Sequence, residues 1–131
     1  PYLDFIAARH PLLERHLIHA KQAKEDSEVV ESQKPTAVVP LDIQLTPEKH
    51  ILIISGPNAG GKSVCLKTTG LLQYMLQTGL SIPVSERSKC GVFKDVMIDI
   101  GDEQSLENDL STYSSHLLNM KVMMRQASAD R

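Results

Sequence analysis

The sequence predicts an α/β fold, and three consecutive features between residues 51 and 78 predict it. The apolar, mostly β-branched run 51–54 is typical of a fully buried parallel strand. The run 56–63, GPNAGGKS, follows it and fits the pattern G-x-x-x-x-G-K-[ST]. Good helix formers then continue to about Thr78. Strand, glycine loop and helix in this order place the motif in the structural context that its chemistry requires.

The residue types in the glycine loop predict a binding site for a nucleoside triphosphate. Gly56, Gly60 and Gly61 allow positive φ and let main-chain N–H groups approach an anion closely. Lys62 would place an ammonium on the β- and γ-phosphates, and the Ser63 hydroxyl would coordinate Mg²⁺. The predicted ligands are therefore ATP or ADP and Mg²⁺. The predicted nucleotide-binding residues are Gly56, Pro57, Asn58, Ala59, Gly60, Gly61, Lys62, Ser63 and Val64.

The bulk composition narrows the class of protein. The 131 residues suffice for one small domain, and the net charge of −2 offers no basic surface for nucleic acid. There is no apolar run of membrane-spanning length and no signal peptide, so no membrane partner is expected. Cys65 and Cys90 are not spaced as a metal or redox pair, which favours a cytoplasmic location, and Cys65 is interpreted as a packing residue. Both chain ends look cut, which predicts a piece of a longer protein.

The elements before the loop are predicted to form a small β layer. Residues 3–6 form a short strand, and Pro11 biases His10 toward a strand end or turn. The charged stretch at about 17–34 is either a solvated helix or a flexible insertion. Short extended segments at 37–40 and 42–45 are consistent with an antiparallel layer. A turn at 46–49 leads into the apolar run.

The elements after the loop continue the alternation of helices and strands. A helix is predicted from about Lys62 to Thr78, with Gly79 ending it. Residues 96–100 have strand character, and a carboxylate-rich segment follows. The last helix is predicted at about 111–127, and its methionines are interpreted as core or interface residues. One face of this helix would carry Tyr113, Leu117, Met120 and Met124.

Several blocks together resemble one known family. These are GPNAGGKS with Asn58 in third place, the following LKTTGLL, and IDIGDEQSLENDLSTYSSH near the end of the chain. The earlier blocks ARHPLL and VVP followed by Asp42-Ile43 are similar to the opening of the same domain. Together they resemble the ATPase domain of the MutS family, and most closely its second bacterial subfamily (MutS-two). The resemblance covers nearly all of the chain except the charged insertion.

The resemblance implies a P-loop NTPase fold of the ABC ATPase type that works as a homodimer. Each composite site would pair the loop of one subunit with the segment of the other that carries Ser111 and Thr112; a plain helix N-cap is the alternative role of Ser111. Asn58 would contact the γ-phosphate, and Gln104 would correspond to a metal- or water-sensing glutamine, with a solvated turn residue as its alternative. Val38 and Val39 would lie on the adenine side. His50 and His116 have no partner that the sequence identifies and are interpreted as structural.

The predicted organisation is a partial ATPase domain over residues 1–131. It comprises the N-terminal β layer at 1–50 and the P-loop core with the signature segment at 51–131. The sequence contains no apolar strand ending in Asp-Glu after the loop, and such carboxylates orient Mg²⁺ and the attacking water. The chain is therefore expected to bind nucleotide weakly and to hydrolyse it poorly or not at all. In the full-length protein the resemblance implies DNA repair or recombination, with structured or branched DNA bound by regions outside this chain.

Three other classes are weighed against this interpretation. A P-loop kinase for a small molecule would need an arginine-rich lid, whereas the arginines after the loop are scattered at Arg87, Arg125 and Arg131. A transporter-type ABC ATPase would carry LSGGQ where this chain has LSTYSSH. A non-catalytic relic of the loop is disfavoured because Lys62 and Ser63 are both intact.

Overall fold

The computed structural model describes residues 2–25, 37–57, 60–100 and 109–127, with the backbone alone at 21–25 and 109–112. These residues belong to two compact units, Tyr2–Val92 and Phe93–Arg131. The described part of the chain has no helix that is long and apolar enough to span a bilayer. The elements are β1 (Leu3–Ala8), α1 (Pro11–Glu25), β2 (Leu41–Leu45), α2 (Lys62–Gln77), β3 (Lys89–Cys90) and α3 (Asp109–Gln126).

The sheet of the first unit is antiparallel, with strand order β2-β1-β3. In its register Phe5 lies opposite Ile43, and Leu3 lies between Leu45 on one side and Cys90 on the other. The predicted antiparallel β layer is confirmed. Its first strand is longer than expected, and its second strand begins at Leu41 and excludes 37–40.

A β-bulge interrupts β1 between Phe5 and Ala8. Ala7 has φ of 52°, a left-handed conformation that is uncommon for a residue with a Cβ. A bulge leaves main-chain groups outside the strand ladder, and here side chains receive them. The Ala7 N–H donates to Asp42 Oδ1 at 2.7 Å, and the Ile6 N–H donates to Ser88 Oγ at 2.9 Å. These contacts stabilise the distorted strand.

The apolar core of the described residues lies entirely in the first unit. Leu3 and Phe5 alternate along β1 and point to the same side of the sheet, and the bulge brings Ala8 into the buried set. Gln73 ties α2 to the end of the sheet because its Nε2 donates to the Gly91 carbonyl oxygen at 2.9 Å. The buried apolar residues are Leu3, Phe5, Ala8, Ile43 and Leu72.

Helix α1 resolves one question that the sequence left open. Pro11 is its first residue, a position where proline is favoured because the missing N–H would have no partner. The Glu14 N–H donates to the His10 carbonyl oxygen at 3.0 Å, and the Glu14 carboxylate pairs with Arg9 at 3.3 Å. The first part of the charged stretch is therefore helical as far as Glu25, and residues 26–36 lie outside the described residues.

Helix α2 begins and ends as the sequence predicts. It runs over Lys62–Gln77, and Gly79 follows with φ of 83°. The Gly79 N–H donates to the Leu76 carbonyl oxygen at 3.0 Å, and the Leu80 N–H donates to that of Met75 at 2.9 Å. This pair of bonds is the Schellman arrangement, which needs a left-handed residue and so favours glycine at this position.

Two predicted strands are absent from the structure. Residues 51–54 form no strand and are exposed, with Ile51 at 76% and Ile53 at 85%. Residues 96–100 also form no strand. A strand is stable only when its N–H and C=O groups form hydrogen bonds with neighbouring strands. The sheet of the described residues contains β2, β1 and β3, and neither 51–54 nor 96–100 pairs with it. The prediction of a buried parallel strand before the glycine loop is therefore wrong for this structure.

Helix α3 is present, but its predicted apolar face is not buried in the structure. The helix begins at Asp109, two residues before the predicted start. Met124 is 80% exposed, and the other members of the face are exposed as well. Spacing alone predicted the face correctly as a stripe, but the described residues supply no surface against it. The core alternative is therefore wrong for Met120 and Met124, and their alternative role at an interface stays a prediction. The exposed members are Tyr113, Leu117, Met120 and Met124.

Candidate functional site

The glycine loop uses positive φ at two of its three predicted glycines. Gly56 has φ of 147° and Gly61 has φ of 81°, conformations that a side chain would strain. Gly60 contributes to the loop through a main-chain hydrogen bond. Its N–H donates to the Pro57 carbonyl oxygen at 2.9 Å. A Cβ at Gly60 would lie 3.4 Å from Pro57 Cγ, which is an ordinary van der Waals contact.

The start of α2 is arranged to receive an anion. Gly61 is its N-cap and has no side chain to accept a hydrogen bond, and the first turn contains no acidic residue. The Cys65 N–H donates to the Gly61 carbonyl oxygen at 2.9 Å, so the helical bonds begin there. The N–H groups of Lys62, Ser63 and Val64 precede that bond and have no acceptor in the preceding turn of helix. Such groups, together with the helix dipole, favour a bound phosphate.

The Lys62 side chain folds back over the loop. Its Nζ donates to the carbonyl oxygen of Gly56, the first residue of the motif. This contact holds an ammonium group beside the loop while the side chains of Ser63 and Val64 stay exposed at the helix start. A phosphate oxygen could replace the carbonyl as acceptor, since lysine has three rotatable donors.

The other predicted site residues are placed less completely. Asn58, Ala59 and Gln104 lie outside the described residues. Ser111 and Thr112 lie in the first turn of α3, in the second unit, where the backbone alone is described. Because α3 begins at Asp109, Ser111 is inside the helix, and its alternative role as a plain N-cap is wrong.

Of the two valines predicted on the adenine side, one lines a cleft. Val38 and Pro40 line a cleft of about 290 Å³, and Leu17 and Ile18 of α1 are among its other lining residues. Val39 does not line this cleft and is 83% exposed. The cleft is apolar with the Arg9–Glu14 ion pair among its lining groups, and the lining contains no aromatic ring on which a base could stack.

The two cysteines have the character of packing residues. Burial raises the pKa of the Cys65 thiol above its ordinary value. Burial, with a smaller contribution from the Asp4 carboxylate, also raises the pKa of Cys90. A raised pKa leaves less thiolate, which is the reactive form. Both residues are free thiols.

The structure also reveals a polar network that sequence reasoning missed. His116 Nδ1 lies 2.5 Å from Asp99 Oδ2, and Asn119 Nδ2 donates to Asp99 Oδ1 at 3.0 Å. The spacing of His116 and Asn119, three residues apart on a helix, was the available signal because such residues share a face. Their acceptor lies 17 residues before His116, so only the fold identifies it. His50, the other histidine without an identified partner, has Nδ1 at 3.2 Å from the Pro47 carbonyl oxygen.

The hydrogen bonds around Asp99 predict that its carboxyl group is protonated only at unusually low pH. The hydrogen bond from His116, and then that from Asn119, lowers the pKa of Asp99 from its ordinary value. A lowered folded-state pKa means that the stabilisation is complete above the ordinary pKa of about 4 and is lost as the pH falls through the lowered value. We therefore expect the Asp99 carboxyl to stay ionised at pH values at which exposed aspartates are protonated.

A carbon-detected NMR titration of the aspartate side-chain carboxyls measures this effect. An aspartate in a short unstructured peptide provides the ordinary value for comparison. An Asp99 midpoint at or above the ordinary aspartate value would contradict the described hydrogen bonds.

Comparison with known proteins identifies the family. The family described as MutS domain V matches residues 52–131, more than half of the chain. A protein called Endonuclease MutS2 from Caldanaerobacter subterraneus is 41% identical over 127 residues, which is 97% of this chain and 14% of that protein. The protein of the same name from Lactobacillus helveticus is 44% identical over 98% of this chain and 14% of its own length. That from Agathobacter rectalis is 54% identical over 69% of this chain and 11% of its own length.

The chain therefore belongs to the MutS family, within the region described as domain V. Its relatives place it in the MutS2 subfamily, as the sequence blocks predicted. It spans about one seventh of the length of the first two of these relatives.

Proposed function

We propose that this chain is the ATP-binding portion of a MutS-like ATPase. One observation carries the proposal. The glycine loop, whose last glycine is the left-handed Gly61, leads directly into the uncapped N-terminus of α2, and the Lys62 ammonium lies against the same loop. Membership of the MutS family supports it. The finer assignment to a P-loop NTPase fold of the ABC type belongs to the same proposal.

Each residue of the loop has a role in this proposal. The main-chain N–H groups of Lys62, Ser63 and Val64 bind phosphate oxygens, and the glycine at position 61 leaves them accessible. Lys62 exchanges the Gly56 carbonyl oxygen for the β- and γ-phosphates. The exposed Ser63 hydroxyl is a ligand for Mg²⁺, whose hard character favours oxygen donors. Asn58 and Gln104 are proposed as further γ-phosphate and water or metal contacts.

The same proposal extends to the full-length protein. Two copies form a homodimer in which the loop of one faces the Ser111–Thr112 turn of the other, and ATP binding closes the pair. Structured or branched DNA is bound elsewhere, since this chain has a net charge of −2. DNA repair or recombination is the process proposed, and the relatives' name, Endonuclease MutS2, supports an action on nucleic acid.

The 131 residues by themselves are proposed to turn over ATP poorly. Catalysis of phosphoryl transfer depends on positioning and on charge stabilisation by metal-bound carboxylates. The chain contains no apolar strand that ends in Asp-Glu after the loop.

Calorimetric titration with a series of ligands tests the proposed site. We expect Mg·ATP and Mg·ADP to bind, and adenosine to bind at least about 100-fold more weakly, a difference of about 2.7 kcal/mol that the phosphate contacts supply. The physical reason is that the phosphates meet the helix start and Lys62, whereas the cleft beside Val38 offers no aromatic ring.

Two results of this titration would contradict different parts of the proposal. Equal binding of adenosine and ATP would show that the loop is not the site. No heat with Mg·ATP from a chain that circular dichroism shows to be folded would contradict the proposal that this chain alone binds nucleotide.

A further inference from the structure

The network around Asp99 anchors the last helix through a single carboxylate. Both carboxylate oxygens are occupied, Oδ2 by His116 Nδ1 at 2.5 Å and Oδ1 by Asn119 Nδ2 at 3.0 Å. The two partners are three residues apart, so they project from one face of α3. Only 16% of the Asp99 side chain and 29% of the His116 side chain are exposed. One residue of the segment before α3 is therefore held at two points of that helix.

The chemistry of the three groups fixes their protonation. An ionised carboxylate only accepts hydrogen bonds, so His116 must carry its proton on Nδ1 in order to donate. Neutral His116 is then restricted to the Nδ1–H tautomer, with Nε2 unprotonated. Because the acceptor is ionised, both bonds are of the strong, charge-assisted kind.

None of the described side chains of α3 belongs to the buried apolar set. The buried apolar residues of the described chain all belong to the first unit, and Leu117, Met120 and Met124 are exposed. The Asp99 network is a specific polar contact that fixes α3 relative to residues 96–100.

The Asp99 network lies close along α3 to Ser111 and Thr112, the residues proposed to face the nucleotide of the partner. Ser111 lies in the first turn of the helix, and His116 follows it by five residues, about one and a half turns. We propose that Asp99 is a positioning residue that, through His116 and Asn119, orients the start of α3 for ATP-dependent pairing of two copies of this chain. This inference rests on the proposed function, in which the first turn of α3 faces the nucleotide held by the partner.

An exchange of the interacting groups tests the role of the network. Asp99→Asn keeps the shape but turns one oxygen into an NH₂ group, which opposes the NH₂ of Asn119. Adding Asn119→Asp restores a complementary pair, since the amide oxygen at position 99 accepts from His116 and its NH₂ donates to the new carboxylate. His50→Ala is the control variant, because the His50 ring contacts the nearby Pro47 carbonyl oxygen and lies outside the network.

Sedimentation velocity with and without Mg·ATP measures pairing, and calorimetry measures nucleotide binding by the monomer. We expect Asp99→Asn to weaken ATP-dependent pairing about tenfold or more, the scale of one charge-assisted hydrogen bond. The double variant should recover most of that loss, and His50→Ala should pair as the unmodified chain does. Long-range ¹H–¹⁵N spectra should show His116 as the Nδ1–H tautomer in the unmodified chain.

The outcomes separate this inference from the proposed function. Undiminished pairing in Asp99→Asn, a double variant no better than the single one, or binding of Mg·ATP without any pairing would each overturn the positioning role and leave the nucleotide site standing. Failure of the folded chain to bind Mg·ATP would overturn the proposed function, and the positioning role with it. A neutral His116 that carries its proton on Nε2 would overturn the network itself.

Discussion

Lys62→Ala is expected to weaken Mg·ATP binding by about 100-fold or more. The lysine places one positive charge beside the loop, where its Nζ now donates to the Gly56 carbonyl oxygen. A charge-assisted hydrogen bond contributes about 1.5–3 kcal/mol, and unit charges about 4 Å apart near a protein surface attract by about 4 kcal/mol before desolvation is subtracted. A net loss of about 2.7 kcal/mol corresponds to the expected factor of about 100.

Lys67→Ala is the matched control because it removes the same charge from the same helix. Lys67 lies five residues after Lys62 on α2 and is exposed. It should change the affinity for Mg·ATP by less than about threefold, since an exposed charge at a distance is screened by salt. Calorimetry on the two variants and the unmodified chain measures both effects. Equal affinities of the Lys62 and Lys67 variants would mean that general charge, and not the loop lysine, accounts for binding.

Phe5→Ala is expected to cost about 3–5 kcal/mol of the free energy of unfolding. The Phe5 side chain is completely buried at the centre of β1, opposite Ile43. Its removal loses the transfer free energy of the ring and leaves a cavity that β1, paired on both sides, cannot close. Since domains of this size are stable by only about 5–15 kcal/mol, the loss is a large part of the total.

Urea unfolding followed by circular dichroism measures this change in stability. Val39→Ala is the control, because Val39 is 83% exposed and its truncation should stay within about 0.5 kcal/mol. A Phe5 variant with an unchanged midpoint would show that the sheet does not form the core of the Tyr2–Val92 unit.

The sequence predicted the features that depend on neighbouring residues. Gly61 at the start of α2 and Gly79 after its end are local requirements, because each adopts a left-handed conformation in a turn of a few residues. The glycine loop and the helix it enters were therefore predictable by position. The antiparallel layer was predictable in kind from the short extended segments at 3–6 and 42–45.

The features that the sequence misjudged depend on residues distant along the chain. Residues 51–54 have the composition of a buried strand, but composition cannot supply the neighbouring strands that would pair with it. The apolar stripe of α3 was correctly spaced, but spacing does not show whether another surface covers it. The acceptor for His116 was invisible for the same reason, because Asp99 reaches it only through the fold.

The glycine loop, the helix that starts from it and membership of the MutS family follow from contiguous residues, and the sequence was sufficient to predict them. The three-dimensional fold was needed to show that Lys62 lies over Gly56, that Phe5 is completely buried, and that Asp99 contacts α3. Local backbone conformation follows from adjacent residues, whereas burial and hydrogen-bond partners depend on which distant segments the fold brings within a few ångströms.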